Sequence, residues 1–216
     1  FSDVLFVDPT GTVYYSYLKG PAFGETVSGG AWADSGLGAA FSRGAENAKK
    51  AVNDTAQTSF SGLRIDAATK EAGIYFGIPV VKFESFKGIV LFKVKEEVFA
   101  QILAKGIATK SSEQPAIISA DGKVIGLEGT RLAGVDATPY GFYSTALNAS
   151  GMTEAKIVRA DGEANAYARP FSFAGDRYLA VESILQSELN AGSVSIAGTL
   201  AVIGLCVLAA IGTATA

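Results

Sequence analysis

The first half of the chain carries side chains able to hold a small molecule: Tyr15, Phe23, Trp32, Asp34, Arg64, Asp66 and Tyr75. Small-ligand sites combine apolar, often aromatic walls with a few polar groups. Arg64 and Asp66 stand two apart, so in a strand they share a face and present both signs of charge. Asp34 and Ser35 precede a helical pattern, and that helix N-terminus would offer free backbone N–H groups to a carboxylate or other anion. Each feature also has a plainer use. Arg64 and Asp66 can form an exposed pair of little energetic consequence, and Asp66 and Glu71 can sit solvated beside a turn. Strand neighbours such as Tyr14 and Tyr15 point to opposite faces, so not all the aromatics can line one pocket and most belong to a core.

Catalytic chemistry is hard to assemble from the remaining residues. The sequence has no histidine, which removes the usual general base near neutral pH, the commonest metal ligand and every histidine-dependent triad. Gly36-Leu37-Gly38 lacks the third glycine of a dinucleotide fingerprint, and Gly122-Lys123 lacks the other parts of a phosphate-binding loop. We therefore expect no catalytic residues, no metal site and no cofactor. The net charge of −3 gives no electrostatic reason to expect nucleic acid. The single cysteine, Cys206, lies in an apolar run and has no internal disulfide partner.

The elements that would position these groups recur. Val4–Tyr15 reads as a hairpin turning at Asp8-Pro9-Thr10-Gly11, and Ala116–Gly126 reads as another turning at Asp121-Gly122. A helix follows each. The first carries Leu37, Phe41, Ala45, Ala48 and Val52 at helical spacing; the second is shorter, around Tyr140–Leu147. Three strands come next. In the first copy they lie near Ser59–Ile65, Gly73–Phe83 and Gly88–Val94, with a turn at Lys87-Gly88. In the second they lie near Ala155–Arg159, Asn165–Phe173 and Arg177–Glu182, with a turn at Gly175-Asp176. Lys95–Ala104 is expected to leave the first unit as a helix, and Ser183–Asn190 the second. Hairpin, helix and three-stranded meander give a five-stranded antiparallel sheet with a flanking helix, an α+β architecture. The expected organisation is residues 1–104 and 105–190 as two tandem units, then 191–216.

That last segment has no charged residue. As a helix it would reach roughly 39 Å, enough for a hydrocarbon core of about 30 Å, so it is expected to be a transmembrane helix. The chain begins at Phe1 inside an expected strand and reads as a fragment whose upstream part is missing.

Val4–Val13, Tyr15-Ser16, Lys19, Phe23-Gly24, Asp34-Ser35-Gly36-Leu37, Phe41 and Pro79-Val80 together resemble the PAS-like Cache sensor domain. The match is particularly to the double-Cache outer region of bacterial methyl-accepting chemotaxis proteins. It departs at Gly62, where an acidic residue would follow the aromatic Phe60, and at Trp32, which has no arginine within a few residues. The resemblance implies two tandem PAS/Cache-like units and no enzyme. It implies small-molecule sensing outside the cytoplasm and signal transduction across the membrane in a chemoreceptor, with an organic acid or amino acid as possible ligand. It further implies a homodimer in the bacterial inner membrane, with residues 1–190 periplasmic or extracellular. The same ectodomain could serve a histidine kinase or diguanylate cyclase. An alternative from another class is a membrane-anchored protein-binding module without ligand. Of the two units, the first is expected to capture the ligand.

Overall fold

The computed structural model describes residues 1–66, 69–105, 107 and 111–191; the expected transmembrane stretch lies beyond Ala191, outside the described residues. The chain divides into two compact units, Phe1–Glu96 and the remainder from Glu97. Both are antiparallel sheets carrying few helices, as an α+β reading requires.

In the first unit, β1 (Asp3–Val7), β2 (Val13–Ser16), helix α1 (Gly36–Ala48), β3 (Ser59–Phe60), β4 (Tyr75–Lys82) and β5 (Ser85–Lys93) form a five-stranded sheet in the order β2-β1-β5-β4-β3, with α1 against one face. The first hairpin turns where its residues demand. Asp8 Oδ1 accepts from the backbone N–H of Thr10 (2.8 Å) and Thr12 (2.9 Å), and Gly11 takes φ 97°. Ser35 caps α1, its Oγ accepting from Gly38 N–H at 3.1 Å. Leu37, Ala40, Phe41, Gly44 and Ala48 face the sheet. Burial of Leu37 or Phe41 is worth about 1.5–3 kcal/mol each. The helix is shorter than its apolar spacing suggests, because Val52 lies past its end and is exposed.

Three further expectations are corrected here. The third strand is only Ser59–Phe60, since the chain then leaves for a loop that returns at Ile65↔Ala72. The last hairpin turns at Phe83-Glu84, both at positive φ (52° and 57°), and not at Lys87-Gly88. Lys87 instead forms a bulge between Val80↔Gly88 and Val81↔Phe86, and Gly88 (φ 131°) is required because a Cβ there would meet Val7 O at 2.3 Å. A bulge between Phe6 and Val7 likewise leaves Tyr14 and Tyr15 both exposed beside the Phe6 ring.

The second unit contains α2 (Glu96–Ala104), β6 (Gln114–Ser119), β7 (Val124–Glu128), β8 (Arg131–Gly134), α3 (Tyr143–Asn148), β9 (Thr153–Arg159), β10 (Gly162–Phe173), β11 (Asp176–Leu185) and α4 (Gln186–Ala191). Its sheet has six strands in the order β8-β7-β6-β11-β10-β9. The sixth, β8, pairs through Glu128↔Arg131 across a tight turn that the sequence pattern did not separate from a loop. The β10–β11 turn falls at Ala174-Gly175, one residue earlier than expected. β11 stays extended to Leu185, so the exit helix starts three residues later than expected. Leu179 and Val181 pack under α3 with the alternating alanines 164, 166 and 168 of β10, whose small size lets the helix approach. The opposite face carries Ile184, against which Tyr167 and Leu189 of α4 pack.

Candidate ligand site

At the N-terminal end of α1 the first unit gathers several of the expected ligand residues. Asp66 is buried, 5% exposed, against the expectation of a solvated side chain. Asp66 N–H donates to Glu71 O and Gly73 N–H to Arg64 O, which brings Arg64–Asp66 alongside Glu71–Gly73. The Asp66 carboxylate then reaches α1, accepting from Gly36 N–H at 2.7 Å. Two glycines make this approach possible. A Cβ on Gly36 would overlap Gly73 O, 1.6 Å away, and one on Gly73 would lie 2.2–2.4 Å from the Asp66 carboxylate. Burial pushes the Asp66 pKa up, while the Gly36 N–H and the charges of Lys93 and Arg64 pull the other way.

Free N–H groups at the helix N-terminus were expected to await an anionic ligand. The Gly36 N–H is spent on Asp66, the Gly38 N–H on Ser35 Oγ and the Ala39 N–H on Ser35 O. What this end of α1 presents is a buried carboxylate with cations close by.

Arg64 does not pair with Asp66 as an exposed ion pair. Its Nε donates to Ser61 O at 3.0 Å and its Nη1 to Asp34 O at 3.4 Å, so Arg64 ties the loop to the residue ahead of the α1 cap. Asp34 itself is exposed, and only its carbonyl is engaged here. Tyr75 is buried in the same region, its phenol pKa raised by burial and then by Asp66, Asp3 and Glu71. Trp32 is half-buried on the first unit's core, and its carbonyl accepts from Ser35 Oγ at 2.6 Å. Asp34, Arg64, Asp66, Tyr75 and Trp32 therefore belong to one neighbourhood.

Tyr15 and Phe23 do not join them. Tyr15 pairs with Phe6, ring centroids 4.8 Å apart, on the sheet face away from α1. Phe23 sits in an exposed turn, its N–H donating to Gly20 O. An open groove of about 700 Å³ also exists in this unit, but at the C-terminal end of α1, between Ala48–Ala51 and the Phe83-Glu84 turn. Its charges serve the turn: Asp54 accepts from Glu84 N–H at 3.0 Å and pairs with Lys82 at 3.5 Å.

Several participants were not singled out in the sequence. Ser61, fully buried, donates to Gly62 O (2.7 Å) and accepts from Tyr75 N–H (2.8 Å). Asp3, Lys93 and Tyr75 align across β1, β5 and β4, and Lys93 pairs with Glu71 at 3.2 Å. Only strand register brings these together. The one local signal was the glycine at 73, two residues before an aromatic strand.

No family model matches the sequence, and no curated protein matches it. Solved structures do. The extracellular domain of histidine kinase rpHK1S-Z16 superposes with a TM-score of 0.59 at 17% identity, covering 88% of this chain and 73% of that one. The ligand-binding domain of the Pseudomonas aeruginosa PAO1 amino acid chemoreceptor PctB, in complex with L-Arg, gives 0.57 at 9% identity, covering 90% and 75%. An extracellular ligand binding receptor from Desulfohalobium retbaense gives 0.54 at 16%, covering 85% of this chain. The present chain spans only 30% of the length of that receptor. The fold is thus the Cache-like one of extracellular sensor domains in chemoreceptors and histidine kinases.

Proposed function

We propose that the chain is the extracytoplasmic sensor region of a bacterial transmembrane receptor that binds a small molecule and passes the event inward. The observation that carries this is the fold, shared with the ligand-binding domains of chemoreceptors and kinases over most of the chain. On this reading the units are tandem Cache-like modules, residues 1–190 lie in the periplasm or outside the cell, and 191–216 cross the membrane. The chain dimerises, and its work is binding, not catalysis. The ligand is taken by the first unit at Trp32, Asp34, Arg64, Asp66 and Tyr75.

The mixture of charge near Asp66, with Arg64 and Lys93 close enough to shift its proton affinity, suits a ligand bearing both an amine and a carboxylate. An amino acid fits this better than a simple organic acid, because the Gly36 and Gly38 N–H groups are already taken by Asp66 and Ser35. Signalling requires the ligand to favour one conformation over another, since equal affinity shifts nothing. Screening amino acids and organic acids by thermal shift on the full chain tests the reading. A stabilising amino acid whose effect is lost in Arg64→Ala supports it. A ligand unaffected by that change but abolished by changes around Tyr140 or Tyr167 would move capture to the second unit.

A further inference from the structure

Glu182 lies in β11. It is 1% exposed, and among the described residues neither of its carboxylate oxygens has a hydrogen-bond partner. A buried ionised carboxylate without a partner is far costlier than its neutral acid. Among the described residues no cation pairs with it; the Arg159 guanidinium of β9 is spent on Asp161, Ser112 O and Ser183 O. On β10, Tyr167 lies directly across, with its hydroxyl donating to Glu154 of β9, and Arg169 two residues on is exposed. On β6 the opposing residue is Pro115, and Glu113, itself buried, precedes the strand. α3 covers the other face and brings only Tyr143 as a titratable group. α4 brings Glu188.

The same corner holds α4 in place. Glu188 accepts from Ser112 N–H (2.6 Å) and Ser111 Oγ (2.9 Å). Ser112 Oγ accepts from Leu185 N–H at 2.9 Å, and Ser112 O from Arg159 at 2.8 Å. Ser111–Glu113 is therefore a strap between the end of β11 and the first turns of α4, and its last residue is the acid whose charge reaches Glu182.

We propose that Glu182 is a proton-operated switch in the second unit: neutral while the strap and α4 are docked as described, it is driven toward water when it ionises, and this loosens Ser111–Glu113 and α4. The proton passes to solvent, and no other bond changes. Burial raises the Glu182 pKa to about 7, with Glu113 adding to the effect, so the change falls near neutrality. The inference stands apart from ligand capture in the first unit.

The test is hydrogen exchange on the full 216-residue chain in detergent, between about pH 6 and about pH 8, corrected for intrinsic rates. Segments 111–119 and 182–191 should open roughly tenfold more often at about pH 8 than at about pH 6, the rise levelling off toward the alkaline end. Glu182→Gln should abolish the dependence, and Glu113→Gln should move the midpoint to lower pH. An infrared carbonyl band of a protonated acid should disappear from the wild type over the same range. A flat wild-type profile, an unchanged dependence in Glu182→Gln, or no such band at the acidic end overturns the proposal. If Glu182→Gln does not fold, the Glu113→Gln midpoint and the wild-type band decide.

Discussion

Asp66 does two jobs that substitution can separate. As an acceptor for Gly36 N–H it caps α1 from a distant loop; as a buried anion it lowers stability whenever it is charged. Asp66→Asn keeps an acceptor and removes the charge, so denaturant unfolding at neutral pH should show stability unchanged or raised. Asp66→Ala leaves the N–H without its partner and should lose about 1 kcal/mol. Gly73→Ala drives a methyl into the carboxylate and should destabilise more than Asp66→Ala, because the clash involves a helix terminus with no room to retreat. Glu182 has a raised folded-state pKa, about 7 against 4.5. Its contribution is therefore most favourable below 4.5, and stability is lost as pH rises through 7, by at most about 3 kcal/mol. The melting temperature of the wild type should fall across that window, and that of Glu182→Gln should not.

Among the elements, the β4–β5 hairpin is held by its neighbours against its own turn residues. Phe83 and Glu84 both adopt left-handed backbone, which favours Asn-Gly, and the turn persists because Asp54 accepts from Glu84 N–H and pairs with Lys82. Phe83→Asn combined with Glu84→Gly keeps those backbone contacts and should stabilise the first unit by about 1 kcal/mol in thermal unfolding. This hairpin also marks where sequence reasoning reached its limit. Lys87-Gly88 looks like a turn because glycine is there, yet that glycine serves a close approach to Val7 O. The Asp8–Gly11 hairpin, the Ser35 cap and the apolar face of α1 were legible because each is written within a few neighbouring residues. The site was legible only in part. Arg64, Asp66 and Tyr75 could be chosen by type, but the alignment of Asp3 and Lys93 with Tyr75 depends on which strands pair. β8 was missed because four residues ending in Ala-Gly carry too little alternation to stand out.

At the scale of the whole molecule, the proposed division of labour is capture in the first unit and transmission through the second. We expect trypsin to cut after the exposed Lys95 or Lys105, on either side of α2, before it cuts within either sheet, and each fragment to keep its β-rich circular dichroism. Protection at both lysines with early cleavage inside β4 or β10 would count against the division. The protein carries its own reporter for capture, because Trp32 is the single tryptophan and sits half-buried beside the α1 cap. The measurement that bears most directly on the sensor account is a fluorescence titration of Trp32 in the full chain with amino acids and organic acids. A saturable change with an amino acid is predicted, retained in Glu182→Gln and lost in Arg64→Ala. A compound that binds the chain with Trp32 silent and with undiminished affinity in Arg64→Ala would contradict it.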